Sequence, residues 1–197
     1  MKIDIFNTEN KYQIIYADPP WSYKCWSPKG TGRSAESHYD TMDTNEIAKF
    51  PIANIAAKDC ALFMWVTFPQ LNKFEELLAA WGFTYKTVAF VWIKLNKKVP
   101  IGSLQIIEIE ELLKKICFWG MGRWTRANAE ICVLATKGNP KRISASVGQL
   151  IFRPLRRHSE KPPEARDKIV QLVGNLPRIE LFARQSVAGW DCWGNEV

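Results

Sequence analysis

The sequence has 197 residues, a normal size for one domain, and its 47% hydrophobic content is enough for a core. Its five cysteines include no C-x-x-C pair, its N-terminus has no apolar stretch and no apolar run could cross a bilayer, so we expect no metal, disulfide, signal peptide or membrane partner. The net charge of +7 suits a polyanionic partner, although many basic proteins bind no nucleic acid.

Strands and helices are predicted to alternate along the chain. Apolar runs bounded by turn residues predict strands at 12–17, 60–66, 87–93, 129–136 and 178–183. A capping pair (Asp43 and Glu46), prolines, glycines and apolar periodicity predict helices at 44–50, 69–82, 105–116 and 162–174. This alternation is typical of a mostly parallel sheet with helices on both faces, so we expect one α/β domain over residues 1–197.

Two charged residues directly follow predicted strands, Asp18 after the first and Arg184 after the last. In such folds ligands bind at the carboxyl ends of strands, so these are the first candidates for a site. A polar stretch over residues 22–41 follows Asp18, and loops of that length are usually functional or disordered.

The segment Asp18-Pro19-Pro20-Trp21 suits the methylation of an exocyclic amine. The adenine amine is a poor nucleophile, and acceptors for both of its N–H bonds would aim the nitrogen lone pair at a methyl donor. An ionised Asp18 is an acceptor only, and Pro19 contributes a carbonyl without a competing N–H. The prolines restrict the backbone, which preorganises these acceptors, and Trp21 offers a face on which a base can stack.

A simple turn at the end of a strand is the structural alternative, because Asp-Pro and Pro-Pro dipeptides both make turns. The aromatic residue directly after the prolines and the buried strand before them favour the functional interpretation. Methylation of the cytosine ring needs a thiolate nucleophile, and the chain has no Pro-Cys dipeptide of the kind those enzymes usually carry.

The stretch Tyr16-Ala17-Asp18-Pro19-Pro20-Trp21 resembles the MT-A family of S-adenosyl-L-methionine (AdoMet)-dependent adenine N(6)-methyltransferases, named for the seventy-kilodalton subunit of the mRNA enzyme. Further blocks resemble the family in family order, at residues 39–42, 62–67, 81–83, 91–94, 137–140, 159–162, 179–184 and 190–196. The resemblance covers nearly the whole chain. It implies a Rossmann-like, AdoMet-dependent methyltransferase fold in permuted order, with the catalytic motif before the AdoMet motif.

By this resemblance, Asp18, Pro19, Pro20 and Trp21 are catalytic. The implied AdoMet contacts are Asp18 near the methionyl amine, Lys161 at the methionine carboxylate, Phe182 and Arg184 in the loop that replaces a glycine-rich turn, and Asn195 and Glu196 at the ribose and adenine. Without the resemblance, the structural alternatives are favoured, namely a solvated helix start for Lys161 and a surface charge for Arg184.

Residues 99–116 match no family block, which indicates an insertion that carries the extra helix. It is interpreted as a partner surface, a substrate clamp or a neutral extension. The sequence also lacks the zinc fingers and partner-binding region of the mRNA enzymes. We therefore expect a DNA enzyme of the bacterial or phage branch, acting in the cytoplasm of a bacterium or a phage-infected host as a monomer or homodimer.

Basic and aromatic residues in two segments are candidate substrate contacts. They are Arg33 and Tyr39 after the catalytic motif, and Arg123, Trp124 and Arg126 in the second half. Such cations would bind phosphates with salt-dependent, largely sequence-independent affinity, although a solvated charged surface is the alternative for each one. In duplex DNA the target adenine must be flipped out to reach Asp18.

Two other functions remain open at this point. The first is the same chemistry on RNA, since the motif does not distinguish the two nucleic acids. The second is a catalytically silent structural partner of a methyltransferase complex. The intact Asp18-Pro19-Pro20-Trp21 motif, together with Lys161, Arg184 and Asn195, argues against the silent partner.

Overall fold

The computed structural model describes residues 1–22, 41–97, 109–122, 124–156 and 160–197, with the side chains of 109 and 110 excepted. Its elements are β1 (Tyr12–Ala17), α1 (Thr44–Ala48), α2 (Ile52–Ile55), β2 (Ala56–Val66), a 3-10 turn (Phe68–Gln70), α3 (Phe74–Ala80), β3 (Thr84–Leu95), α4 (Ile109–Ile116), β4 (Ala129–Lys137), β5 (Leu150–Pro154), α5 (Glu164–Val173), β6 (Arg178–Leu181) and β7 (Asp191–Trp193).

The strands form one seven-stranded sheet in the order β5-β3-β4-β2-β1-β6-β7. Strand β4 is antiparallel to both of its neighbours, β2 and β3, and the other four pairings are parallel. The expected mostly parallel sheet is therefore confirmed. The six parallel strands end at one edge of the sheet, here called the carboxyl edge, and the antiparallel β4 begins there.

Alternating side chains of β2 bury both faces of the sheet, as the period of two along a strand requires. Leu62 and Met64 pack into a cluster with residues of α1, α2 and α3. Phe63 and Trp65 point into a second cluster, which includes Ala165 and residues further along α5. Helices on both faces, expected from the sequence, are thus observed. None of the helices in the described ranges is long and apolar enough to span a membrane.

Local capping signals account for several element boundaries. Asp43 and Glu46 form the predicted capping box at the start of α1. Gly174 ends α5 with a φ of 99°, a backbone conformation that favours glycine. The sequence predicted a helix that begins at Pro69, and this starting position was wrong. Pro69 lies in the 3-10 turn, and α3 begins only at Phe74, after the capping residue Lys73.

Three short elements were not predicted from the sequence. They are α2, β5 and β7, which have four, five and three residues. Such elements are too short to show a hydrophobic period of their own. The extra helix predicted over 105–116 is confirmed from Ile109 onward, and residues 105–108 lie outside the described ranges.

Candidate active site

The carboxyl edge brings together charged residues from distant parts of the sequence. Asp18 directly follows β1, and Lys161 precedes α5. Glu130 is the second residue of β4, which starts at this edge because it runs against its neighbours. Lys94 is the penultimate residue of β3, which ends there. The antiparallel direction of β4 therefore places Glu130 at the same edge as Asp18.

These four residues form a row of alternating positive and negative charges. The ammonium Nζ of Lys161 lies 2.8 Å from Asp18 Oδ2 and 3.4 Å from Glu130 Oε2. The ammonium of Lys94 contacts the other oxygen of Glu130 at 2.5 Å. Little of these side chains is exposed, 10% for Lys161, 17% for Glu130 and 24% for Asp18. The low exposure strengthens each pairing relative to one in water.

The two carboxylates among these four residues, Asp18 and Glu130, have opposite pKa shifts. Burial raises the pKa of Asp18, and the attraction of Lys161 offsets this only in part. Burial acts in the same direction on Glu130, but Lys161 and Lys94 together outweigh it and lower the pKa of this carboxyl. Glu130 is therefore the more firmly ionised member, and Asp18 is a better proton acceptor than an ordinary surface aspartate.

Backbone hydrogen bonds fix the Pro19-Pro20-Trp21 segment. The carbonyl of Pro19 accepts from the Trp21 N–H at 2.8 Å, which leaves it one free lone pair for a second donor. The carbonyl of Pro20 accepts from the Met42 N–H at 2.8 Å. The side-chain amide of Gln70 donates to the carbonyl of Ser22 directly after the motif. The acceptors of the segment are thus held in place by the surrounding chain.

The prediction that a base stacks on Trp21 is wrong for this structure. The indole is only 3% exposed and packs within the core, so neither face is open to a ligand. Its Nε1–H donates to the carbonyl of Trp65 at 3.0 Å, which ties the motif to the end of β2. Trp21 anchors the proline segment from beneath.

A cleft that is partly open to solvent lies beside Asp18. Five of the six predicted cofactor residues line it, and Asn195 is an exposed neighbour of the lining residue Glu196. The lining residues are Tyr16, Asp18, Glu160, Lys161, Arg166, Glu180, Phe182, Arg184, Gln185 and Glu196. Both signs of charge occur, and Arg184 Nε lies 3.4 Å from Glu196 Oε1.

The loop after β6 has a constrained backbone. Phe182 has a φ of 58°, a left-handed conformation that costs a bulky residue about 1–2 kcal/mol. A methyl group on Gly194 would meet the carbonyl oxygen of Ala183 at 2.3 Å, so only glycine allows this close approach. The ring of Phe182 contacts Trp193 and Phe50 edge-on, with centroids 5.4 and 5.5 Å apart. Strain held by packing of this kind is frequent at ligand sites.

A buried ion pair forms part of the cleft wall. Nε and Nη2 of Arg166 on α5 each lie 2.7 Å from an oxygen of Glu180 on β6. The guanidinium also lies 5.7 Å from the ring centroid of Tyr16. The hydroxyl of Tyr16 accepts from Trp65 Nε1 at 2.6 Å. Two charged side chains and two aromatic ones thus support the wall as a single unit.

The predicted substrate residues are only partly described. Arg33, Tyr39 and Arg123 lie outside the described residues. Trp124 is 92% exposed and Arg126 is exposed. Both belong to residues 117–122 and 124–128, here called the tryptophan hairpin, whose strands pair between Gly120 and Ala127.

Several residues of the site were missed from the sequence. Lys94 and Glu180 stood within matching family blocks without a role, and Glu130 and Arg166 were given no role. Each is a charged residue within or beside an apolar segment, which is a usable signal. Their partners depend on the antiparallel direction of β4 and on how α5 packs against β6.

Comparison with known proteins agrees with this architecture. The sequence profile of the MT-A70 family matches residues 12–196. The chain is 36% identical over 204 residues to the Type II methyltransferase M.MunI of a Mycoplasma species, covering 95% of this chain and 78% of that protein. It is 30% identical to human N(6)-adenine-specific methyltransferase METTL4, covering 98% of this chain and 39% of that protein.

A third relative is the human N(6)-adenosine-methyltransferase catalytic subunit METTL3, at 27% identity over 95% of this chain and 28% of that protein. The chain thus spans most of the bacterial relative and well under half of the two human proteins. The profile match runs from the first strand to the penultimate residue and includes both the Asp18 motif and the cleft residues. The chain belongs to the MT-A70 family.

Proposed function

We propose that this chain transfers a methyl group from AdoMet to the exocyclic N(6) amine of adenine in DNA. The observation that carries the proposal is the Asp18 carboxylate, held by Lys161 at the carboxyl edge between the fixed proline segment and the cleft. The proposal takes residues 1–197 as one domain with a possible insertion at 99–116, acting as a monomer or homodimer in the cytoplasm of a bacterium or a phage-infected host.

The cleft has the chemistry to hold AdoMet. Lys161 is a cation for the methionine carboxylate, and Asp18 is an anion for the methionyl amine and the positive sulfonium. Arg184 and Glu196 supply a donor and an acceptor for the ribose hydroxyls, with Asn195 adjacent. The ring of Phe182 supplies an apolar wall. Bound there, AdoMet supplies an electrophilic methyl group.

The chain's own residues prepare the adenine amine. Asp18 accepts one N–H and the free lone pair on the Pro19 carbonyl accepts the other, so the nitrogen lone pair is freed from the ring. The raised pKa of Asp18 makes its carboxylate the acceptor for the proton that the amine loses. Trp21 and Gln70 hold the proline segment in place, and Glu130 and Lys94 hold Lys161.

DNA is favoured over RNA by the pattern of similarity. Identity is higher to the bacterial Type II methyltransferase, at 36%, than to the human N(6)-adenosine-methyltransferase catalytic subunit, at 27%. RNA stays the second candidate because relatives of that second kind match nearly the whole chain. A silent structural partner is disfavoured because Asp18, Lys161 and Arg184 are all present and line one cleft.

Asp18→Asn tests the proposal, with Asp167→Asn on the exposed face of α5 as the matched control. Labelled AdoMet is offered with single-stranded DNA, duplex DNA and RNA in competition. We expect the wild type to bind AdoMet and to label adenine in DNA. We expect Asp18→Asn to lose about 10²–10⁴-fold in rate while staying folded, and Asp167→Asn to match the wild type. A wild type that binds no AdoMet contradicts the proposal, and one that labels only RNA selects the second candidate.

A further inference from the structure

The tryptophan hairpin carries large apolar side chains into solvent. Trp124 is 92% exposed, Met121 80% and Trp119 47%. Monomeric proteins rarely expose such a group of side chains without a binding function. Arg126 reaches back to Met121, with its Nη1 3.1 Å from the sulfur, so a cation accompanies the apolar tip.

Hydrogen bonds on both of its strands hold the hairpin firmly. The N–H of Phe118 donates to the carbonyl of Lys94 and the N–H of Lys94 to that of Asn128, both at 2.8 Å. Gly120 and Ala127 exchange two backbone hydrogen bonds, of 3.1 and 3.2 Å. A methyl group on Gly120 would meet the carbonyl oxygen of Ala127 at 2.7 Å, so only glycine allows this close pairing. Backbone hydrogen bonds therefore hold the hairpin in a fixed position as an extension of the sheet.

The hairpin begins and ends beside the catalytic charges. Its first strand is bonded to Lys94, whose ammonium contacts Glu130. Its second strand runs into β4, where Ala127 lies three residues, or about 10 Å of extended chain, before Glu130. Lys161 then links Glu130 to Asp18. The exposed tryptophan thus projects from the same edge on which the target adenine would be held.

The base of the hairpin has the charge that a phosphate backbone requires. The indole N–H of Trp119 donates to the carbonyl of Lys114 at 3.0 Å, which places Trp119 against the end of α4. Lys114 and Lys115 in the last turn of α4 are exposed, as is Arg126. An aromatic tip with cations behind it is complementary to stacked bases flanked by phosphates.

We propose that the tryptophan hairpin is a wedge that enters duplex DNA when the target adenine is flipped out, with the Trp124 indole stacking on the bases that the adenine leaves. The proposal rests on the proposed adenine chemistry at Asp18. Flipping costs the stacking and pairing of one base, and an inserted aromatic side chain replaces part of that stacking. A single-stranded substrate leaves no gap, so the wedge serves duplex DNA selectively.

The test compares Trp124→Ala with Trp124→Phe, which keeps an aromatic face. Ile143→Ala is the control, because Ile143 is 70% exposed yet lies beside the carboxyl-terminal end of α5, away from the carboxyl edge. Methylated positions are first mapped in genomic DNA from cells that express the wild type. Oligonucleotides with the mapped site are then made as a single strand, a matched duplex and a duplex mismatched at the target adenine.

We expect Trp124→Ala to lower the ratio of duplex to single-strand kcat/KM about fivefold or more, since base stacking on an aromatic residue is worth at least that factor. The mismatched duplex should recover part of the loss, because its adenine flips more easily. Trp124→Phe should keep most of the ratio and Ile143→Ala all of it. An unchanged ratio in Trp124→Ala overturns the wedge alone, whereas a wild type that methylates no DNA overturns the proposed function and the wedge together.

Discussion

At the scale of single residues, Lys161 lies between two carboxylates and opposes the effect of burial, which raises the pKa of Asp18. It attracts the ionised form of Asp18, while Glu130 repels it. The two neighbours therefore act on the pKa of Asp18 in opposite directions. Asp18 accepts an N–H only when it is ionised, so methyl transfer should rise with pH through the pKa of this carboxyl.

Substituting the two neighbours should move that pH dependence in opposite directions. Lys161→Met removes a positive charge, raises the pKa of Asp18 further and shifts the acid limb of the kcat profile to higher pH. Glu130→Gln removes a negative charge and shifts the limb to lower pH. The measurement is kcat against pH at saturating AdoMet and DNA, with Lys168→Met on α5 as the control. Shifts of both variants in the same direction would contradict this account of Asp18.

Residues that act within one segment were easier to predict than residues that act across segments. Asp18 and Pro19 could be proposed because a strand end and two prolines are neighbours in sequence. Glu130 could not be found in this way, because its place beside Lys161 depends on the direction of β4. Trp21 was assigned a wrong role because an aromatic residue after two prolines serves equally as a stacking face or as an anchor.

At the scale of elements, the Arg166–Glu180 pair joins α5 to β6 across the cleft wall. Burial raises the pKa of Glu180, and Arg166 opposes that shift only in part. The side chains are each 10% exposed, so the loss of one partner leaves the other almost without solvent. A charge left alone in such a place costs far more than the pair contributes.

Arg166→Met should therefore lower the free energy of unfolding by about 3–5 kcal/mol at neutral pH. Because the pKa of Glu180 is then raised still further, protonation at lower pH should relieve part of this loss. Adding Glu180→Met removes the isolated charge and should restore much of the stability. Urea unfolding at neutral and mildly acidic pH measures both effects. A loss that is independent of pH would indicate lost packing and not an unpaired carboxylate.

The close contact between Gly194, which directly follows β7, and Ala183 in the loop after β6 leads to a second prediction at this scale. Gly194→Ala places a methyl group against the backbone of Ala183, so the loop that carries Phe182 and Arg184 must shift. We expect AdoMet affinity to fall about tenfold or more, since a shift of about 1 Å is enough to disturb positioned contacts. Isothermal titration measures this. Gly148→Ala is the matched control, because among the described residues its methyl group would meet only Lys168 Nζ, at 3.8 Å.

Elements with several independent signals were predicted well, and the others were not. Helix α1 has a capping box and α5 has prolines at its start and Gly174 at its end, and both were located. Strand β5 contains Arg153 and Pro154 and exposes Leu150 and Phe152, so apolar and polar residues do not alternate along it. It forms because the edge of β3 offers unpaired backbone groups, which is a property of the sheet and not of the segment.

At the scale of the whole molecule, the net charge of +7 is not concentrated in one run of the sequence. Lys114, Lys115 and Arg126 lie at the carboxyl edge, whereas Lys58 lies near the start of β2 at the opposite edge. Composition alone therefore cannot say which cations contact the nucleic acid. The fold orients the charges, and salt dependence distinguishes a contact from a distant charge.

Lys114→Gln should weaken DNA binding and reduce the slope of log Kd against log salt concentration by about 1, because one phosphate contact and its released counterion are lost. Lys58→Gln removes the same charge from the whole molecule and should leave the slope unchanged. Fluorescence anisotropy with a labelled duplex, measured over a series of salt concentrations, gives both slopes. Equal reductions of the slope in the two variants would mean that net charge alone attracts the DNA. That result would contradict the placement of the DNA-binding face at the carboxyl edge.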